Sequence, residues 1–188
     1  MSFTEEAIKK NLEKKLEKIK ETQEIKAYKS NQIIFPMTSR FNTKTREENK
    51  RFRETGWPNG CVYCCPGEVS QSIPPLAKMI VLEMDNDRNQ IFAVGRCANK
   101  SILNKYKVYE DQNYNRYNYI GKNRIVREEF NTIEEAVFKA LDQLCFYGNE
   151  HMKRGNGLKA FPTKLLVNCK DVLDIPAFLD NMFTSRFS

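Results

Sequence analysis

Histidine is nearly missing from this chain of 188 residues, with His151 the only one. Imidazole acid–base chemistry is therefore confined to one place, the loop around residue 151. Long apolar runs are missing as well: no stretch approaches the ~18–20 consecutive apolar residues that span a bilayer, so membrane insertion is excluded. The N-terminal segment is too charged for the apolar core of a secretory signal, and the chain reads as intracellular. A phosphate-cradling GxxxxGK[ST] loop does not occur, which argues against hydrolysis of ATP or GTP. Neither an internal repeat nor a low-complexity tract is present.

Charge is plentiful and unevenly placed. Hydrophobic residues make up 40% and charged residues 29%, which excludes disorder of the whole chain. The formal net charge of +7 is concentrated: residues 1–57 hold 14 Lys/Arg against 9 Asp/Glu, residues 95–127 hold 8 against 2, and residues 151–164 hold 4 against none. Segment 128–150 is instead acidic, with one Lys against six Asp/Glu. Local concentration of positive charge selects polyanionic partners more strongly than an average excess does.

Along the chain, Glu5–Lys29 has the pattern of a helix, with Ser2 and Glu5 at capping-box spacing and a narrow stripe of Ile8, Leu12, Leu16 and Ile19. Residues 30–57 read as an extended basic arm through Arg40, Lys44, Arg46, Lys50, Arg51 and Arg53, with a short helix near 46–53. A single globular domain is expected over 57–188, entered by the turn Trp57-Pro58-Asn59-Gly60. Lys78–Met84 and Gln90–Cys97, joined by a polar turn, predict a hairpin. Tyr106–Tyr109, Tyr117–Ile120, Arg124–Arg127 and Lys164–Asn168 are further strand candidates. Ile133–Phe146 predicts a helix capped by Thr132 and Glu135, with Ile133, Val137, Leu141 and Leu144 on its apolar face, and Pro176 opens a final helix. The fold class expected is α+β: a mostly antiparallel sheet packed with two helices, preceded by the N-terminal amphipathic helix and the basic arm over 1–56.

Three segments carry possible chemistry. In the first, Tyr114, Arg116, Tyr117, Tyr119, Lys122 and Arg124 crowd rings and cations into eleven residues. Bases and phosphates would satisfy both groups, although a strand with one aromatic face turned inward, or a protein neighbour, explains them too. The second is the loop Glu150-His151-Met152-Lys153-Arg154-Gly155-Asn156-Gly157. Lys153 and Arg154 suit phosphate contact, an ordinary surface turn is the alternative, and catalysis by His151 is the minority reading. The third is Cys61-x-x-Cys64 followed by Cys65, which has half the spacing of a zinc site; zinc is the one cofactor the sequence suggests, against a plain cluster of reduced thiols.

Several strings carry a resemblance: Met79-Ile80-Val81-Leu82-Glu83-Met84-Asp85-Asn86, Val94-Gly95-Arg96-Cys97-Ala98-Asn99, Tyr114-Asn115-Arg116-Tyr117-x-Tyr119-x-Gly121-Lys122-x-Arg124-Ile125, and His151-x-Lys153-Arg154-Gly155-x-Gly157. Together they resemble an uncharacterised protein family of nucleocytoplasmic large DNA viruses, the giant viruses, over about residues 60–168. That resemblance implies a viral protein in the host cytoplasm, the nucleus or the virion. It supplies no activity. The expected function is non-enzymatic binding of nucleic acid, DNA or RNA, through the tyrosine–arginine segment with Lys153 and Arg154. The alternative is a structural or assembly protein, such as a minor capsid component, that binds viral protein partners through residues 1–56.

Overall fold

The computed structural model describes residues 5–56 and 60–187. The proposed cap Ser2 and the turn residues Trp57, Pro58 and Asn59 lie outside the described residues. The chain divides into two compact units, one made of residues 1–32 and 162–174, the other of 33–161 and 175–188.

The smaller unit pairs helix α1 (Glu5–Asn31) with helix α4 (Thr163–Cys169). Lys164 bonds Glu21 at 2.7 Å, and Lys170 bonds Glu24. Residues 164–168, expected as a strand, are the body of α4. Their periodicity was compatible with either state, and the Pro162 carbonyl starts helical turns by accepting from Leu165 and Leu166 N–H. Ile8, Leu12, Leu16 and Ile19 of α1 remain 50–58% exposed.

The larger unit has an α+β fold. Its elements in chain order are β1 (Ile34–Phe41), α2 (Thr43–Gly56), β2 (Cys61–Cys65), β3 (Lys78–Asp85), β4 (Gln90–Ala98), β5 (Ile102–Leu103), β6 (Tyr117–Gly121), β7 (Asn123–Val126), α3 (Thr132–Phe146), β8 (Lys159–Ala160) and α5 (Ile175–Phe187). One sheet runs β7-β4-β3-β1-β8 and the other β2-β6-β5. The pairings are antiparallel apart from β1 with β3. Strand β3 lies at the centre of the five-stranded sheet and is buried from Met79 to Asp85, which is why Met79–Leu82 are consecutive apolar residues rather than alternating ones.

The arm expected over 30–57 does not exist as such. Ile34–Phe41 pairs along its whole length with β3, and the basic stretch after it is a fourteen-residue helix. The boundary expected after residue 56 thus falls inside the larger unit. Tyr106–Tyr109, expected as a strand, is irregular: Asn115 Oδ1 accepts from the Val108 and Tyr109 N–H groups, at 2.9 Å each, and Tyr106 N–H is bonded by the Asn118 side chain. Side-chain amides have taken the backbone donors that a ladder would use.

Alternation sets the layers. Met79, Val81 and Glu83 face the smaller sheet, where Cys61, Tyr63 and Tyr119 complete a common core. Ile80, Leu82 and Met84 point to the opposite face; α3 packs on β4, and α5 on β1 and β7. Helix α3 sits in a different phase from the one its sequence suggests. Asn131 rather than Thr132 is its N-cap, and its buried side carries Glu134, Phe138, Leu141, Asp142 and Cys145. Ile133 and Leu144 face outward, 72% and 38% exposed. Polar anchors decide this: Asp142 accepts from Ile91 N–H and from Arg127, while Glu134 binds Arg186 at 2.7 Å.

At Gly95 and Gly121 the two sheets leave no room for a side chain. A Cβ on Gly95 would lie 2.0 Å from Tyr63 Oη and 2.7 Å from Cys61 Cβ; one on Gly121 would lie 1.9 Å from the Arg96 carbonyl oxygen. Gly95→Ala is accordingly expected to lower unfolding free energy by about 1–3 kcal/mol or more, the usual cost of overpacking. Gly67→Ala, where nothing lies within 4 Å, is expected to stay within about 0.5 kcal/mol of the parent. Urea titrations of the two variants measure both values.

Candidate nucleic-acid interface

Strand β6 divides the tyrosine–arginine segment between core and surface. Tyr119 is fully buried, and its Oη accepts from Val69 N–H at 2.9 Å. Tyr114, in a 3-10 turn, is half-buried edge-on against Tyr109. Tyr117 is the first residue of β6, paired with Cys65 and Leu103 and half-buried, with the exposed Arg116 guanidinium 5.8 Å from its ring centre. Lys122 is exposed in the link to β7.

Arg124 is turned inward. Its side chain is 8% exposed and its Nε and one terminal nitrogen grip Glu83, the shortest contact being 2.7 Å. Tyr63 Oη donates to the same carboxylate at 2.9 Å. Burial by itself would raise the Glu83 pKa, but the charge and hydrogen bonds of Arg124 outweigh it and hold the carboxyl below its ordinary value. The residues expected to touch nucleic acid therefore lose Tyr119 and Arg124, both committed to the core. An alternating strand beside a second sheet has to bury one of its faces.

Helix α2 supplies what the segment lacks. Asn49 Nδ2 donates to the Val62 carbonyl at 2.8 Å and to Tyr109 Oη at 3.1 Å, which fixes the helix against β2 and the 109 segment. Phe52 meets Tyr106 edge-on at 5.7 Å, and Lys105 lies 5.2 Å from the Tyr106 ring centre. Asn104 N–H bonds the Arg116 carbonyl, so the Lys105–Tyr106 and Arg116–Tyr117 pairs are neighbours. On one side of α2 a cleft of about 350 Å³ is lined by Arg46, Lys50, Arg53, Phe92 and Arg124 together with Glu47, Glu54 and Glu128. A second cleft of about 470 Å³, on the other side, is lined by Arg51, Phe52, Lys107 and Tyr109, with Glu48 and Glu110.

Many cations on this face already have partners: Lys44 with Glu48 and Glu110, Arg46 with Asp85, Arg124 with Glu83. Among the described residues, Lys50, Arg51, Arg53, Lys105, Lys107 and Arg116 have no carboxylate within ion-pair distance. Burial, and then the like charge of Arg124, lower the Arg53 pKa. Its guanidinium bonds Asn49 Oδ1 through Nε alone. The α2 cations were visible in the sequence as charge, but not as part of this surface, because the stretch lacked an apolar stripe that would mark a docked helix.

The glycine-containing loop is held in place by side chains from other elements. Lys153 Nζ bonds Asn89 Oδ1 at 2.7 Å, whereas Arg154 is exposed. Arg40 fastens the loop by donating to the Met152 and Gly157 carbonyls. His151 Nδ1 accepts from Lys153 N–H at 3.4 Å, and among the described residues no thiol or carboxylate hydrogen-bonds to the ring.

The zinc expectation for Cys61, Cys64 and Cys65 is not met. These residues form strand β2, and the period of two turns Cys64 to the face opposite Cys61 and Cys65. Cys61 and Cys65 share a face but are separated by about 13 Å of extended chain. Asn118 bonds the Cys64 sulfur and Leu158 N–H bonds that of Cys65. Burial pushes the thiols up to about 12, 12 and 11 in chain order, so all three are protonated near neutral pH. Among the described residues no group of three or more His, Cys, Asp or Glu side chains could hold a metal ion. Nor is any described helix long and apolar enough to cross a membrane.

No protein-family model matches the chain, and neither curated proteins nor solved structures show a significant match. Family membership therefore does not follow, and the site stands on its geometry.

A depressed folded-state carboxyl pKa contributes stability that is complete above the unfolded glutamate value, about 4.3, and is lost as pH falls through the lower folded value. Glu83→Gln leaves Arg124 buried without a counter-charge and is expected to cost about 3–5 kcal/mol near neutral pH. Denaturant titrations of parent and variant should show this difference narrowing as pH falls below about 4.3.

Proposed function

We propose that this chain is a non-enzymatic nucleic-acid-binding protein whose contact surface is helix α2 together with the ridge of Lys105, Tyr106, Lys107, Arg116 and Tyr117. The observation that carries the reading is the set of cations without carboxylate partners, interleaved with partly exposed rings, on both sides of one anchored helix. Cations of this kind release counterions when they meet phosphates, and the rings offer flat surfaces to unpaired bases. Arg154 adds a further exposed cation on the loop after α3. The resemblance to giant-virus proteins suggests viral DNA or RNA as the ligand and the virion as one setting.

A second reading has its own support. The α1 residues Ile8, Leu12, Leu16 and Ile19 are 50–58% exposed, as an assembly protein with a partner-seeking N-terminal helix would have them. Association with a particle shell and no affinity for nucleic acid would favour this alternative.

Fluorescence anisotropy with labelled single- and double-stranded DNA and RNA is expected to show affinity that falls steeply with salt. Arg116→Ala should weaken binding and reduce the salt slope by about one. Tyr117→Ala should cost about 1–3 kcal/mol if it stacks on a base. Tyr119→Phe, at a buried ring, should leave binding unchanged. Salt-insensitive binding, or none, would overturn the reading.

A further inference from the structure

The two halves of helix α1 differ in what touches them. In the second half Glu21 and Glu24 bond Lys164 and Lys170 at α4, and Tyr28 is half-buried. Residues 8–20 are exposed on every side. A free helical segment of this length is marginal in water, because few contacts offset the cost of its nucleation. At about 100° per residue and about 1.5 Å rise, Ile8, Leu12, Leu16 and Ile19 form a stripe about 80° wide and about 16 Å long. So narrow a stripe has the form of a seam for one other helix.

Charge is sorted around this stripe. Over residues 6–20, Lys9, Lys15 and Lys20 stand within about 90° of its centre and no acid does. The opposite half of the helix holds Lys10, Lys14 and Lys18, balanced by Glu6, Glu13 and Glu17. The side that bears the stripe is therefore basic and the far side neutral. Among the described residues, Lys9, Lys15 and Lys20 have no carboxylate within ion-pair distance.

We infer that an acidic amphipathic helix of another protein covers this stripe, with its apolar seam on the four aliphatic side chains and its carboxylates against Lys9, Lys15 and Lys20. The charge selects this occupant. A second copy of the chain would set lysine against lysine on both flanks of the seam, whichever way the two helices ran. Nucleic acid would satisfy the lysines, but it presents phosphates and flat bases rather than an aliphatic seam. An anionic bilayer takes helices whose apolar face sinks about 5–10 Å into the headgroup boundary, and a stripe this narrow between lysines cannot do so. A helix flanked by carboxylates answers both features, because the lysine stems lie along the seam while their ammonium groups reach its rim.

Titration of the full chain against two labelled helical peptides tests this, one with a leucine seam flanked by glutamates and one with the same seam flanked by lysines. Nucleic acid is left out, so the outcome does not depend on the α2 surface. Salt is held near 0.15 M, where charges more than about 8 Å apart are largely screened. The parent is expected to bind the glutamate-flanked peptide at least about tenfold more tightly than the other. Lys9→Glu, Lys15→Glu and Lys20→Glu together should reverse that order, a gain of binding that an unfolded helix cannot give. Lys10→Glu, Lys14→Glu and Lys18→Glu change the net charge equally and should preserve the order. Leu12→Asp should remove binding. Equal affinity for the two peptides, binding to neither, or a preference that follows the far lysines overturns the proposal. Adsorption to phosphatidylserine vesicles that Leu12→Asp removes would also overturn it, in favour of a bilayer.

Discussion

Glu83 sits in the central strand, 2% exposed, and the larger unit is arranged so that it never lacks partners. Arg124 reaches it across β4 from the sheet edge, and Tyr63 reaches it from the smaller sheet. A lone buried carboxylate would be protonated or would unfold the chain, so these contacts have to be satisfied together. Gly95 is part of the same solution, because any side chain there would occupy the place of the Tyr63 hydroxyl. One polar residue thus joins β2, β3, β4 and β7 and sets where the two sheets cross. It also draws Arg124 away from any ligand.

Helix α2 is the consequence of that arrangement on the surface. With the smaller sheet fixed, Asn49 ties the helix to the β2 backbone and to Tyr109 through a single amide. The helix needs no broad apolar stripe, because a buried amide with two bonds and one aromatic contact at Phe52 hold it in place. Its remaining positions are free to carry cations. Helix α3 shows the reverse: its polar anchors Glu134 and Asp142 face inward, and an apolar stripe is left on the outside. In both helices hydrogen-bonded polar groups, rather than hydrophobic periodicity, choose the phase.

Strong local patterns were legible in the sequence. The long helix at the N-terminus, the β3–β4 hairpin, strand β6, helix α3 and the helix opened by Pro176 all follow from periodicity and turn chemistry. Short elements whose state depends on a distant partner were not. Strand β1 exists because β3 lies beside it, and the segment 106–109 is irregular because Asn115 and Asn118 take its donors. Part of the candidate surface was legible too: Arg116 and Tyr117 keep an exposed pair, while Tyr119 and Arg124 do not, and their letters alone give no hint of the difference.

By itself the amino-acid sequence determined the α+β class, the concentration of positive charge and, among the described residues, that no helix is long and apolar enough to cross a membrane, because composition and short-range periodicity act locally. Tertiary structure alone decided which cations are neutralised, which tyrosines are buried and that the thiols of Cys61 and Cys64 point apart. Those outcomes depend on which groups meet across the two sheets, and a carboxylate such as Glu83 chooses among many arginines only when the fold brings one of them within 3 Å.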